Sequence, residues 1–155
     1  MNVRVELKPE SPVDSDTKMS SSFPAAASPI VDAFTPASPL TASFGGNVIA
    51  EGAAVSPALV AERPTVHFDG SAEKHYTFIL SDPDAPNPTE PKFAEWIHWL
   101  SVNNRVDGAV AGEDLVAFFG SAPGQGAGIH RYVLVVYEQA GVIATESESR
   151  IPLQR

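Results

Sequence analysis

Short strand-like runs separated by turn residues are the feature that most constrains the fold of this chain. Seven segments are rich in β-branched, aromatic and aliphatic residues, and Gly, Pro, Asn and Asp lie between them. The segments are 40–44, 47–50, 65–68, 75–81, 95–102, 115–119 and 130–138. This spacing is typical of an all-β sandwich or a similar β fold. We expect no helix longer than a turn or two, except in residues 53–61.

The first part of the chain has a different composition. Residues 8–39 are rich in Pro, Ser, Thr, Ala and Asp, and such a segment can bury little apolar surface. We therefore expect a flexible leader over residues 1–27 and a domain over residues 28–155. Residues 3–7 alternate as a strand does, but one short alternation carries little weight.

Composition indicates one soluble domain. The chain has 155 residues, of which 43% are hydrophobic, enough for a single core. It has no cysteine, which excludes disulfides, thiolate nucleophiles and Cys-ligated zinc. No apolar run approaches the roughly 20 residues of a membrane span, and the charged N-terminus lacks the apolar region of a secretory signal. We expect a cytoplasmic protein without a transmembrane segment.

The net charge of −9 limits the possible partners. Such a surface repels phosphate polymers and anionic lipid leaflets, and no cluster of Lys and Arg offsets it. Nucleic-acid binding is therefore not expected. Any phospholipid contact should involve a headgroup in a pocket.

Two aspartates follow the apolar strand 75–81. Pro83 and Pro86 lack the amide hydrogen that a β-ladder needs, so the chain must leave the sheet and carry Asp82 and Asp84 on a rigid loop. Aspartates at such positions commonly cap turns by accepting backbone N–H bonds. The residues alone therefore leave a structural role open beside a role in binding.

Two histidines lie in strands with an aromatic residue two positions away. Alternation places Trp96 and His98 on one face, with Ile97 and Trp99 on the other, core-facing side. His130 and Tyr132 share a face in the same way. A strand histidine is often a structural, hydrogen-bonded residue, but beside a carboxylate its imidazole can also donate to a bound anion. Arg131 points away from His130, so we expect it, together with Glu95 and Glu138, to form structural ion pairs.

A glycine-rich loop precedes the last predicted strand. Residues 120–128 contain Gly120, Ser121 and Ala122, and the backbone N–H groups of such loops can point at an anion. The loop lacks the Gly-Lys-Ser/Thr ending of a P-loop, and a flexible hairpin connection is the structural alternative.

Catalysis is the weaker interpretation of these residues. No His-x-x-x-His or comparable close ligand pair indicates a metal site, and Ser121 lacks the Gly-x-Ser-x-Gly context of a nucleophile. A hydrolase with a Ser-His-Asp triad or a metal is the less favoured alternative. We expect a binding module without a cofactor or a metal.

Three motifs, in this order, resemble the phosphatidylethanolamine-binding protein family, which includes animal Raf kinase inhibitor proteins and plant flowering regulators. They are Asp82-Pro83-Asp84-Ala85-Pro86, His98 within Glu95-Trp96-Ile97-His98-Trp99, and Gly128-Ile129-His130-Arg131-Tyr132 leading to Tyr137-Glu138-Gln139. A weaker match at 31–36 and 40–44 is similar to the start of the family's domain. This chain differs at Ala122 and Gly124, where relatives often have glycine and a second proline.

The resemblance implies an antiparallel β-sandwich with few short helices, and we expect this chain to lack the family's last strand and C-terminal helix. It also implies a regulatory protein that binds phosphate or a phosphorylethanolamine-like headgroup, with a kinase, a protease or a scaffold protein as partner. A carboxypeptidase-inhibitor-like protein acting through surface contacts is the alternative. The ligand-binding residues expected on this basis are Asp82, Asp84, Trp96, His98, Gly120, Ser121, Ala122, His130 and Tyr132.

Three structural and chemical expectations follow. Asp82, Trp96, His98, His130 and Tyr132 should converge on one small cavity at the strand ends. The Ala85–Pro86 peptide bond should be cis, as the resemblance implies. Binding of a phosphate-bearing ligand should strengthen as the pH falls through the histidine range, because protonation gives each imidazole a second donor, whereas Asp82 opposes the anion.

Overall fold

The strands observed lie close to those predicted. A computed structural model of the chain describes residues 37–106 and 112–145, and the backbone of residues 2–8. The strands are β1 (Asn2–Lys8), β2 (Leu40–Phe44), β3 (Asn47–Ile49), β4 (Thr65–Phe68), β5 (Tyr76–Asp82), β6 (Trp96–Asn104), β7 (Glu113–Val116) and β8 (Arg131–Glu138). Between β3 and β4, the predicted helix is a four-residue 3-10 turn at Pro57–Val60, which begins with a proline.

These strands form two sheets. The larger sheet has the order β1-β8-β5-β6-β7, with β1 parallel to β8 and the other pairs antiparallel. The smaller sheet has the order β3-β2-β4 and is antiparallel throughout. The all-β prediction is therefore confirmed.

The structure describes the predicted leader and the C-terminus only in part. The alternation in residues 3–7 does form a strand, so part of the segment predicted as a leader lies in the larger sheet. Residues 9–36 and 146–155 lie outside the described residues. The leader, the boundary at residue 28 and the missing C-terminal helix therefore remain predictions.

The core lies between the two sheets. The small sheet contributes Ala42, Phe44 and Ile49, and the large sheet contributes alternating residues of β5 and β8. Those residues are Tyr76, Phe78 and Leu80 on β5 and Tyr132, Leu134 and Val136 on β8. Because residues two apart on a strand share a face, Asp82 and His130 continue the same inner face beyond the apolar core.

A β-bulge at His98 decides which side chains of β6 face inward. Leu80 pairs with Trp99 and Ser81 with Ile97, so His98 has no opposite residue on β5. Opposed residues share a face, which places Trp99 with Leu80 and Trp96 with Asp82 on the inner side. The prediction that Ile97 shares the core face with Trp99 is wrong, because strict alternation does not hold across a bulge.

The predicted strand at 115–119 is also displaced. β7 ends at Val116, and Phe119 pairs with the bulge instead, donating its backbone N–H to the His98 carbonyl at 2.8 Å. The segment after β7 is thereby attached to the end of β6, where the predicted site residues lie.

Candidate functional site

A cavity of about 260 Å³ opens at one end of the larger sheet. Its lining combines the ends of β5, β6 and β8 with two loops, and consists of Asp82, Ala85, Pro86, Phe93, Trp96, His98, Phe119, Ala122, Pro123, Gly124, His130 and Tyr132. All five residues predicted to converge are among them. The cis Ala85–Pro86 bond is also confirmed, and Ala94–Glu95 is a second cis peptide bond.

Asp82 is the last residue of β5 and is 3% exposed. One carboxylate oxygen accepts the backbone N–H of Asp84 at 2.8 Å. The other accepts Nδ1–H of His130 at 2.7 Å. Both oxygens of Asp82 are therefore engaged by the protein itself.

His130 lies immediately before β8 and is 5% exposed. Because Asp82 accepts from Nδ1, that nitrogen carries hydrogen, and in the neutral imidazole Nε2 carries a lone pair. Nε2 is buried, and among the described residues it has no hydrogen-bond partner. A buried polar atom without a partner is costly, so this atom marks a position where a ligand group fits.

His98 is held by the bulge and the segment after β7. Its Nδ1 lies 2.7 Å from the Phe119 carbonyl, which can only accept, so Nδ1 again carries hydrogen. Its Nε2 lies 4.0 Å from the Asp82 carboxylate. Burial lowers the pKa of His98, and the Phe119 bond and Asp82 counter this only in part.

Tyr132 supplies the hydroxyl of the cavity. Its ring lies 5.0 Å from the His98 ring, and its oxygen accepts a hydrogen bond from Ser121 Oγ at 2.7 Å. Burial, with a contribution from the Asp82 carboxylate, raises the pKa of Tyr132 to about 12. Tyr132 is therefore a neutral phenol and keeps its own O–H hydrogen as a donor at physiological pH.

Asp84 has a structural position. Its carboxylate accepts from the Arg131 backbone N–H at 2.8 Å and from the guanidinium at 2.9 and 2.7 Å. Burial alone would raise the pKa of Asp84, but the hydrogen bonds from Arg131 outweigh it and lower the pKa. The prediction of an ion pair for Arg131 is confirmed, whereas Asp84 does not line the cavity.

The glycine-rich loop contributes only in part. Ala122 lines the cavity, and Ser121 reaches it through Tyr132. Gly120 does not line it, and a side chain at this position would meet the Ala61 backbone oxygen at 2.6 Å. The glycine is therefore explained by a close approach of two backbones, and not by contact with a ligand.

Sequence reasoning missed the apolar rim of the cavity. Phe93 and Phe119 line it while remaining 57% and 47% exposed. Phe93 contacts Trp96 edge-on, and Phe119 stacks on His98 with ring centroids 6.0 Å apart. Phe119 directly precedes the glycine-rich loop, which was the available signal, whereas nothing in the sequence singled out Phe93.

The arrangement does not assemble a hydrolytic centre from these groups. Ser121 Oγ donates to Tyr132, so the Ser-His-Asp triad is not formed in the described part of the chain. Within the same residues, no group of three or more His, Cys, Asp or Glu side chains is placed to hold a metal ion. No helix in the described segments is long and apolar enough to cross a membrane.

Comparisons with known proteins agree with the fold and the motifs. A rice protein (Oryza sativa subsp. japonica), "Protein MOTHER of FT and TFL1 homolog 2", is 42% identical over 113 residues, covering 71% of this chain and 63% of the relative. A solved carboxypeptidase Y inhibitor, complexed with its cognate proteinase, is similar with a TM-score of 0.62 and 22% identity, over 71% of this chain and 64% of that one. A phosphatidylethanolamine-binding protein from Plasmodium vivax is similar with a TM-score of 0.53 and 22% identity, over 76% of this chain and 66% of that one.

At these identities the two solved structures support the fold alone. This chain spans less than two thirds of the length of each of the three relatives. The family model described as "Phosphatidylethanolamine-binding protein" matches residues 31–154, which include all three motifs and every residue of the cavity. The chain belongs to the phosphatidylethanolamine-binding protein family.

Proposed function

We propose that this protein is a non-enzymatic binding and regulatory module whose cavity takes a small anionic group, a phosphate or a phospholipid headgroup. The observation that carries the proposal is the buried Nε2 of His130, which has no hydrogen-bond partner among the described residues and lies on a cavity that His98 and Tyr132 also line. An anion oxygen placed there accepts a hydrogen bond from the protonated imidazole and from the Tyr132 hydroxyl.

The size of the cavity supports a headgroup-sized ligand. Pockets for drug-sized molecules measure about 300–1,000 Å³. A volume of about 260 Å³ suits phosphate or phosphorylethanolamine. An amine on the ligand would also be attracted by the Asp82 carboxylate, so phosphorylethanolamine should bind more tightly than phosphate.

The regulatory part of the proposal rests on family membership. Binding of a headgroup would change the affinity for a protein partner, such as a kinase or a scaffold protein, that contacts the surface around the cavity mouth. We place this protein in the cytoplasm, in keeping with its lack of cysteine.

A protease inhibitor of the carboxypeptidase class is the second candidate. It is favoured by the fold similarity to the carboxypeptidase Y inhibitor and by exposed apolar side chains near the cavity. Phe93, Phe119 and Ile129 are 57%, 47% and 68% exposed, and such side chains suit contact with a protein surface. In this case inhibition would be independent of the cavity.

Ligand titration separates the two functions. Phosphate and phosphorylethanolamine are added to the protein at about pH 5.5 and pH 7.5, and binding is followed by the NMR signals of the two tryptophan indoles. We expect a shift of the Trp96 indole, tighter binding at the lower pH, and weaker binding at that pH in His98→Ala, which removes one of the two cavity imidazoles. His67→Gln, which removes an exposed imidazole outside the cavity, is the matched control.

Two results would contradict the proposal. One is an affinity that does not change with pH, and the other is an unchanged affinity in His98→Ala. Carboxypeptidase inhibition that survives His98→Ala would instead favour the second candidate.

A further inference from the structure

With both imidazoles neutral, the buried polar atoms of the cavity are mainly acceptors. Both histidines use Nδ1–H within the protein, His98 toward the Phe119 carbonyl and His130 toward the Asp82 carboxylate. In the neutral imidazoles both Nε2 atoms therefore carry lone pairs. With Asp82 added, such a set repels an anion. Of these four side chains, only Tyr132 has a donor hydrogen that can turn toward a ligand, and the Asp82 carboxylate competes for it.

We infer that binding of an anion in this cavity is coupled to uptake of one proton at His130 Nε2, and that Asp82 is the positioning residue that makes this uptake possible. The inference rests on the proposed function, since it concerns the same site. On this inference Asp82 favours binding of the anion, although its own charge would repel the anion.

The contacts of His130 favour it over His98 as the proton acceptor. The Asp82 carboxylate lies 2.7 Å from Nδ1 of His130 but 4.0 Å from Nε2 of His98. A carboxylate in direct contact stabilises an imidazolium, whereas the partner of His98 Nδ1 is an uncharged carbonyl. The lowered pKa of His98 agrees with this difference.

The titratable groups around His130 lie on β5, β6 and β8 and in the loop that follows β5. Asp82 on β5 is the contacting carboxylate, and His98 on β6 opposes a second positive charge. Tyr132 on β8 stays neutral, and the Asp84 carboxylate is paired with Arg131. Protonation of His130 alone leaves the Asp82–His130 pair neutral overall, with Nε2–H free to donate to the anion.

Asp82 acts on a bound anion such as sulfate through His130, and not by direct contact with the anion. One of its oxygens holds the Asp84 backbone N–H and the other holds His130. These two bonds set the tautomer and the ring orientation of His130, so that Nε2 is left for the ligand. The proton comes from solvent, and no covalent bond is made or broken.

The test needs an anion that does not titrate itself. Phosphate monoesters carry a pKa near 6 and can bring their own proton, so sulfate is the probe. Isothermal calorimetry with sulfate at about pH 7.5, in two buffers of different ionisation enthalpy, counts the protons taken up. We expect an uptake approaching about one proton per sulfate, with an affinity that falls by up to about tenfold per pH unit.

Asp82→Asn separates the positioning role from repulsion. An amide keeps the size of the side chain but removes the charge, and its NH₂ group faces one of the two N–H groups that the carboxylate accepts. We expect sulfate to bind about tenfold more weakly to this variant near pH 6, with little proton uptake, because the imidazolium loses its counter-charge. His67→Gln should keep both the affinity and the uptake.

A measurement on the unchanged protein tests the inference even if Asp82→Asn does not fold. The nitrogen chemical shifts of the histidine rings report tautomer and charge, and sulfate should convert His130 from the Nδ1–H form to the doubly protonated form. Tighter sulfate binding in Asp82→Asn would overturn the inference, as would sulfate binding without proton uptake. If neither sulfate nor phosphorylethanolamine binds at any pH, it is the proposed function that fails.

Discussion

The two ends of the β5–β6 pair both bury polar side chains, but they differ in how many of those groups find hydrogen-bond partners. Each end has a β-bulge on β6, at His98 near the cavity and between Ser101 and Asn104 at the other end. At that far end Asn103 adopts a positive φ of 60°, and its side chain donates to and accepts from the Ile143 backbone. Both bulges gather buried polar side chains at a strand end.

The far end is closed by hydrogen bonds. Gln139 is 5% exposed, and its carbonyl oxygen accepts from the Asn103 backbone at 2.8 Å and from Thr77 at 3.1 Å. Its NH₂ group donates to the Asn103 side chain at 3.0 Å and to the Gly141 carbonyl at 2.9 Å. The Asn104 carbonyl oxygen likewise accepts hydrogen bonds from the Ser101 hydroxyl and the Gly112 backbone N–H, and its NH₂ group donates to the Tyr76 carbonyl.

The cavity end is left open. There a buried imidazole nitrogen has no partner in the described chain, and a void of about 260 Å³ adjoins it. Both ends contain motif residues and buried polar groups, so neither feature alone identifies a binding site. What distinguishes the cavity end is its unfilled hydrogen-bonding position, which supports the proposed binding site.

The largest expected effect is on the closed end. Gln139→Ala should lower the free energy of unfolding by about 3 kcal/mol, because it leaves several buried polar groups without partners. Sulfate affinity of the folded protein should stay unchanged. Denaturant unfolding measures the free energy of unfolding, and calorimetry measures the sulfate affinity. Glu138→Gln is the control, because Glu138 is the neighbouring residue and lies in a half-exposed ion pair with Lys74. A loss of binding at unchanged stability would break the distinction between the two ends.

The second effect concerns the ion pair beside the cavity. Asp84→Asn should cost about 2 kcal/mol of stability, because it weakens a charge-assisted, bidentate contact with Arg131. The folded-state pKa of Asp84 is lowered, so its contribution is present above the unfolded value of about 3.9 and is lost as the pH falls through the folded value. Acid unfolding curves of the two proteins should therefore converge below about pH 4. Curves that stay parallel there would show that the Asp84 charge contributes no stability.

The third effect is on the open end. His130→Ala should weaken sulfate binding by about tenfold, which corresponds to about 1.4 kcal/mol, because it removes the imidazole whose Nε2–H donates to the anion. Burial lowers the pKa of His98, so the unfolded state binds the proton more readily and stability falls as the pH drops below about 6.5. This part of the pH dependence should be absent in His98→Ala, as thermal unfolding between about pH 5 and pH 8 will measure.

The smallest effect concerns the cavity hydroxyl. Tyr132→Phe removes the acceptor of Ser121 and the phenolic O–H donor of the cavity, and should weaken sulfate binding by about threefold, or less than about 1 kcal/mol. In the unchanged protein, absorbance titration should show one tyrosine that ionises near its pKa of about 12. A larger loss than in His130→Ala would mean that the hydroxyl, and not the His130 imidazole, holds the anion.

The sequence predicted the cavity residues better than it predicted their roles. Asp82, Trp96, His98, His130 and Tyr132 could be chosen because motifs at strand ends are local features. Asp84 and Gly120 belonged to the same motifs, yet one pairs with Arg131 and the other packs against the Ala61 backbone. Distinguishing a ligand contact from a structural contact required knowing which groups face each other across the sheet.

Face assignments within β6 show the same limit. Alternation put Trp96 and Trp99 on opposite faces, and the bulge at His98 brings both to the inner side. A bulge depends on how one strand pairs with its neighbour, so the alternation of residue types along a single strand does not predict it. Phe93 was missed for a related reason, since its place on the rim follows from the return of its loop to Ala85, whose carbonyl accepts the Phe93 N–H at 3.0 Å.

The sequence by itself determined the strands, the turns and the family, because these depend on the order of residue types along short stretches of chain. The tertiary structure decided which buried polar groups bond to one another and which atom has no partner among the described residues. Gln139 and His130 are equally buried, at 5% exposure each, and both stand in the third family motif. All bonding positions of the Gln139 amide are used by strands and loops that converge there. In the part of the chain that the structure describes, one nitrogen of His130 has no partner, because the residues around it enclose a cavity.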